Sequence, residues 1–184
     1  MHGSETPSDW VRRWSHLVPP GAPVLDVACG LGRHLRWFAL RGHPVTGVDR
    51  APQAAEAAAA VGEAVCADIE NGPWPFAGRQ FGAVVVTNYL WRPLWPTLVA
   101  SVAPGGVLLC ETFASGNETV GRPSRPDFLL QPGELLATCA GLRVVAYEDG
   151  YLDAPARFVQ RIAAVRATSE AAAPARHGLA GGSS

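Results

Sequence analysis

The sequence predicts an α/β fold built on a largely parallel sheet. Three observations carry this reading. A short run with β-branched residues, Pro23 to Val27, is followed at once by the turn Cys29-Gly30-Leu31-Gly32 and then by Leu35, Phe38, Ala39 and Gly42 at helix-like spacing. Phe81 to Thr87 is apolar almost throughout, as a central strand covered on both faces must be. Asp26, Asp49 and Asp68 each stand within or at the end of one of the first three expected strands, where an acid has no packing reason to recur.

Composition narrows the classes. A chain of 184 residues with 48% hydrophobic and 17% charged residues suits one domain with a sizeable core. The net charge of −1 gives no strong field toward nucleic acid or an anionic membrane, although all fifteen basic residues are arginine. Cys29, Cys66, Cys110 and Cys139 lie far apart and form no C-x-x-C pair, so no zinc, other metal or disulfide framework is expected. Reduced thiols in a cytoplasmic protein are the expectation. No apolar run reaches the roughly 18 residues of a membrane span. The N-terminus lacks the basic-then-apolar plan of a signal peptide.

Taken in order, residues 1–7 read as a flexible tail. Thr6 or Ser8 is expected to cap a helix running to about Leu17, with Pro7 in its first turn and Trp10, Val11, Trp14 and Leu17 on one face. Pro19-Pro20-Gly21 ends it. The strand, Gly-rich turn and helix described above follow, and Gly42 and Pro44 close that helix. Gly30 and Gly32 let the backbone turn sharply and let a ligand approach it. Val45 to Val48 is the second strand, ending in Asp49, which lies 49 − 26 = 23 residues past Asp26. An acid at that place can accept hydrogen bonds from ribose hydroxyls. Residues 52–61 form an alanine-rich helix, and 63–67 a third strand that ends in Asp68. A loop over 71–80 leads to the strand Phe81–Thr87, which ends at Asn88-Tyr89-Leu90-Trp91-Arg92-Pro93.

A helix over 94–102 and Pro104-Gly105-Gly106 lead to a strand over 107–110, with Glu111-Thr112-Phe113 at its end. The stretch 114–131 is a long loop. Because Phe128-Leu129-Leu130 should pack, it reads as an ordered flap. A helix over 132–139 begins with Pro132 and Glu134 in its first turn, and Gly141 stops it. Residues 142–149 and 156–167 read as a hairpin around the turn 150–155. From 168 to 184 the composition predicts disorder.

The turn resembles motif I of the class I S-adenosylmethionine (SAM)-dependent methyltransferases, written D-x-G-x-G-x-G. Asp26, Ala28, Gly30 and Gly32 stand in its positions, with Ala28 a small departure from the first glycine. Pro75-Phe76, Phe81 and Val84-Val85-Val86 are similar to a second pattern of these enzymes, although Gly82 replaces the acid that often follows the phenylalanine. Pro104-Gly105-Gly106 is similar to a third. Glu111 to Leu136 resembles a bacterial branch akin to the tellurite-resistance methyltransferases.

The resemblance spans residues 8–167. It implies a three-layer Rossmann-like sandwich with a seven-stranded sheet ordered 3-2-1-4-5-7-6 and strand 7 antiparallel. It also implies SAM as cofactor. Asp49, Asp68 and Ile69 would meet the adenosyl part and the backbone of Ala28, Cys29, Gly30 and Gly32 the methionine part. Asp26, Arg50 and Asn88 are the other cofactor-binding candidates, and the strand end at Asn88 would face the transferable methyl.

The expected reaction is in-line methyl transfer to a small-molecule acceptor by a monomer or homodimer. Tyr89, Arg92, Arg122 and Arg125 are the candidates for holding the acceptor. Glu111 and His16 are the candidate bases for an acceptor that needs one. His34 is expected to cap or pack. Asn88-Tyr89-Leu90-Trp91 is not the Asn-Pro-Pro-Tyr tetrapeptide of enzymes that methylate adenine in DNA or RNA. A nicotinamide site would require a third glycine at 35, where Leu35 stands. Methylation of RNA or protein, and SAM binding without catalysis, stay open.

Overall fold

The computed structural model describes residues 6–168 and 175–179. Seven strands form one sheet: β1 (Val24–Val27), β2 (Val45–Asp49), β3 (Glu63–Cys66), β4 (Phe81–Thr87), β5 (Val102–Phe113), β6 (Arg143–Asp153) and β7 (Ala156–Val165). Their order is β3-β2-β1-β4-β5-β7-β6, the order the resemblance implied. β7 alone runs antiparallel to its neighbours.

Side-chain alternation divides the core into two layers. Val24, Ala83, Val85, Val107 and Leu109 face the helices α1 (Asp9–Trp14), α2 (Arg33–Ala39) and α3 (Pro52–Ala59). Leu25, Val27, Val84, Val86, Leu108 and Cys110 face α4 (Trp95–Ala100) and α5 (Glu134–Thr138). β4 is buried at every residue, as its unbroken apolar run requires.

Several boundaries differ from expectation, each for a local reason. Ser8 is the cap of α1, accepting hydrogen bonds from the N–H groups of Trp10 and Val11, so Pro7 lies outside the helix. The segment Ser15–Leu17 tightens into a 3-10 turn. α5 begins only at Glu134, because Gly133 takes a left-handed conformation before it. β5 starts at Val102, and Phe81 pairs with it there before a register shift, so Glu111 lies within a strand rather than at its end. β6 runs on to Asp153, into the stretch expected to be the turn.

Residues 1–5, 169–174 and 180–184 of the expected tails lie outside the described residues. Thr6 is held, its carbonyl accepting from Arg33, and the Gly178 carbonyl meets His16 Nε2. Among the described residues no helix is long and apolar enough to cross a membrane.

Candidate active site

The carboxyl ends of β1, β2 and β4 meet where the strand order reverses, the usual place for a ligand in an open α/β sheet. The turn after β1 is unusual in its backbone. Ala28, Gly30 and Gly32 all have positive φ, at 53°, 51° and 76°. Left-handed backbone suits glycine and costs an alanine about 1–2 kcal/mol. Ala28 is therefore not the small departure that composition alone makes it. It holds a strained conformation that the first glycine of the motif would adopt freely. Asn88 at the end of β4 is also left-handed, with φ 54°, a conformation that asparagine tolerates better than most residues. Two adjacent strands thus end in the same irregular turn, and strain of this kind gathers at functional sites.

Asp49 locks the arrangement. Its Oδ2 accepts the Gly30 N–H and its Oδ1 the Ala51 N–H, both at 2.9 Å. The carboxylate ties the glycine turn to the end of β2 and keeps lone pairs facing outward. A Cβ built on Gly30 would meet nothing within 4 Å, so the turn presents open backbone. Between the turn and β4 lies a cavity of about 290 Å³, lined by Ala28, Asp49, Arg50, Ile69, Asn88 and Leu90 among others. Asp68, Glu70 and Tyr89 complete it.

Asp68 lines this cavity but is already engaged. Its Oδ1 accepts from the N–H groups of Glu70 and Asn71, and its Oδ2 from the Asn71 side chain. These bonds, the Asn71 amide first, hold its carboxyl below the usual range. The Tyr89 hydroxyl is buried beside Glu70, and burial first, then that carboxylate, raises its pKa. Tyr89, which the sequence set with the candidate acceptor residues, lines this cavity beside Asp49 and Asp68. Cys29 lies beneath the turn. Burial, then Asp26 and Asp49, push its thiol up to about 12, so it is a packing group.

A second cavity of about 410 Å³ adjoins the first and shares Asn88, Leu90 and Phe128 with it. Thr112, Phe113, Arg122 and Pro123 form the rest. Of the arginines expected to hold an acceptor, only Arg122 lines it. Arg92 instead fastens the flap. Its guanidinium donates to Glu134 Oε1 at 2.7 Å, to Glu134 Oε2 and to the carbonyls of Asp127 and Leu129. Arg125 pairs with Asp127 and lies over the Phe128 ring. The flap is ordered, as expected, and Leu129 and Leu130 are buried. Phe128 is not, and stands at the junction of the two cavities.

The candidate bases are placed elsewhere. Glu111 is 3% exposed, accepts from Ser8 Oγ and Arg161 and lies 3.7 Å from Arg157, so it is held as a paired anion. By alternation it falls on the α1 side with Val107 and Leu109, while Thr112 turns to the cavity side. His16 lies in the groove between α1 and α2, its ring nitrogens meeting the carbonyls of Arg13 and Gly178.

Asp26 is buried behind the turn, with Oδ2 lacking a hydrogen bond and His34 Nδ1 3.5 Å away. His34 Nε2 accepts the Ser8 N–H, which leaves the proton of the neutral ring on Nδ1. Ser8 thereby joins α1 to α2 through His34 and to β5 through Glu111. These partners are 26 and 103 residues apart, and no local signal announces them. Leu90, Phe113 and Phe128 were also missed as lining residues. Leu90 and Phe113 stand two residues past Asn88 and Glu111, and that spacing was the available hint for those two.

The first cavity fits SAM. It offers open left-handed backbone, an outward carboxylate at the end of β2 and an apolar wall of Ile69 and Leu90. A methyltransferase-domain family model matches residues 24–106. No curated protein matches the chain in sequence.

Among solved structures, TehB from Haemophilus influenzae superposes with TM-score 0.65 at 20% identity, covering 83% of this chain and 59% of that one. The chain thus spans just under three fifths of TehB's length. A TehB-like SAM-dependent methyltransferase from Corynebacterium glutamicum gives 0.63 at 17%, covering 85% and 86%. The glycopeptide N-methyltransferase MtfA, in complex with sinefungin, gives 0.57 at 18%, covering 83% and 90%. At these identities the structures speak for the fold. The sheet order and the superpositions give this chain the fold of the class I, SAM-dependent methyltransferases, and the family model is similar to it over residues 24–106, the stretch that carries the glycine turn.

Proposed function

We propose that the chain transfers the methyl group of SAM to a small-molecule acceptor, with the cofactor in the first cavity and the acceptor in the second. The observation that carries this reading is the shared wall: Asn88, Leu90 and Phe128 line both cavities. SAM supplies an electrophilic methyl on a sulfonium. The chain's own part is binding and alignment. Asp49 accepts from ribose hydroxyls while its backbone bonds hold it in place. Ile69 and Leu90 cover the adenine, with Arg50, Asp68 and Tyr89 around it. The backbone of Ala28 to Gly32 receives the methionine part.

Asn88 and Phe128 set the approach between the cavities. Alignment of this kind can lower a barrier by roughly 7–11 kcal/mol, which is enough to leave the protein little bond-making chemistry of its own. The test is incubation with methyl-labelled SAM and a panel of small acceptors, comparing the native chain with Phe128→Ala. The native chain should release S-adenosylhomocysteine in step with methylated product, and the variant should lose turnover. Product formed only with RNA or protein acceptors would contradict the reading.

A further inference from the structure

The second cavity also restricts what the acceptor can be, given the reading just proposed. Its volume of about 410 Å³ lies in the range of sites for small organic ligands, and its walls are Leu90, Phe113, Pro123 and Phe128. An apolar body is therefore favoured over a small hydrated ion. One charged group lines it, the Arg122 guanidinium, which is exposed and has no partner among the described residues. The neighbouring arginines Arg92 and Arg125 are both occupied by carboxylates. Arg122 draws anions and disfavours an ammonium group.

Among the described residues the lining also contains no carboxylate, histidine, cysteine or lysine, hence no group able to take a proton near neutral pH. The nearest acid in sequence, Glu111, faces the other side of the sheet and is held by Ser8, Arg157 and Arg161. An acceptor here must arrive with a free lone pair: a neutral amine would become a cation beside Arg122, a carboxylate is a weak nucleophile toward a methyl group, and an oxygen or sulfur acid must be ionised beforehand. A phenol, with a pKa near 10, stays protonated, whereas a thiol near 8.5 ionises in part, and an aromatic thiol more fully.

We propose that the acceptor is an apolar organic thiol, bound as its thiolate with Arg122 at the mouth of the cavity. The thiol gives its proton to water before binding. A sulfur lone pair then forms the bond to the methyl carbon while the bond from that carbon to the sulfonium breaks, and the electron pair stays on the sulfur of S-adenosylhomocysteine.

The experiment measures S-adenosylhomocysteine formation by the full chain at saturating SAM with thiophenol, phenol, benzoate and aniline. It is repeated with Arg122→Ala and Arg122→Lys, and SAM affinity is titrated in parallel. Thiophenol should exceed phenol by about 100-fold or more, the advantage that a missing base withholds from a protonated acceptor. It should also exceed benzoate, a weak nucleophile, and aniline, whose product is a cation beside Arg122. Its rate should rise with pH along the thiol's own ionisation. Arg122→Ala should raise KM for thiophenol about fivefold, the scale of a rim ion pair, with kcat and SAM affinity unchanged and with Arg122→Lys restoring most of the loss. Equal or faster methylation of phenol, benzoate or aniline would overturn the proposal. So would binding of SAM with no thioether formed. Failure to bind SAM would remove the underlying reading, and this proposal with it.

Discussion

The two cavities share a wall but are built by different means. The first is made by backbone: three left-handed residues after β1, one after β4, and a carboxylate that ties the turn to β2. The second is made by side chains, those of Arg122, Pro123 and Phe128 on the flap closing against Leu90, Thr112 and Phe113 at the ends of β4 and β5, and the flap is held by contacts distant in sequence. Arg92 reaches Glu134 across 42 residues. Asn117, 1% exposed, donates to the Pro123 carbonyl and accepts the Phe158 N–H across 41. Gln160, fully buried, donates to the Gln131 carbonyl. A backbone site demands particular residues at fixed short spacings. A side-chain site needs only anchors somewhere in the chain, so its walls can change while the cofactor site is kept.

The contrast predicts separable failures. The largest effect is expected at Gly30. Gly30→Val forces a β-branched residue to φ 51° and disturbs the N–H bond to Asp49, so SAM affinity should fall about 100-fold while the fold persists. Titration of SAM with a circular-dichroism control checks this. Unchanged affinity would break the claim that backbone makes the first cavity.

Arg92→Met should act on the other side. It leaves Glu134 and the Asp127 and Leu129 carbonyls without their donor, costing about 1–3 kcal/mol of stability. Acceptor KM should rise more than SAM affinity falls, which steady-state kinetics would measure.

Acid should loosen the same anchor. Burial raises the Glu134 pKa, but the Arg92 and Gln131 hydrogen bonds outweigh it and leave the carboxyl below its usual value. Its contribution is thus complete above the ordinary glutamate pKa of about 4.3 and is lost as pH falls through the lower, folded value. Unfolding midpoints of the native chain and Arg92→Met, followed from pH 6 to pH 3, should converge at the acid end.

The smallest effect is at Ala28. Ala28→Gly relieves the left-handed strain but frees the unfolded chain, for a net gain between zero and about 1 kcal/mol. Thermal unfolding would show it as a small rise in midpoint.

The same contrast explains what the sequence could reveal. The parallel strands, the glycine turn and Asp49 at the end of β2 were legible in the residues, because strand periodicity and turn chemistry act over a few residues, whereas the sheet order came from the resemblance alone. The state of Asp68 was not, since its capping bonds to Glu70 and Asn71 depend on how the turn after β3 closes. Glu111 was placed at a strand end because nothing local shows that β5 runs three residues past Cys110, where it pairs with Arg161, Gln160 and Val159 of β7. Once the strand runs to Phe113, alternation alone turns Glu111 toward α1. Arg92, Arg122 and Arg125 looked alike in sequence, and only the folded flap separates two structural anchors from one free cation.

Asp49 is where the account is most exposed, because one carboxylate is asked to hold the turn and the cofactor together. Calorimetric titration of the native chain and Asp49→Asn with SAM, S-adenosylhomocysteine and NADH tests it directly. The predicted result is binding of both sulfur ligands but not NADH by the native chain, and a loss of about tenfold or more in a variant that still folds. Equal affinity in Asp49→Asn, or binding of NADH in place of SAM, would contradict the assignment of the first cavity.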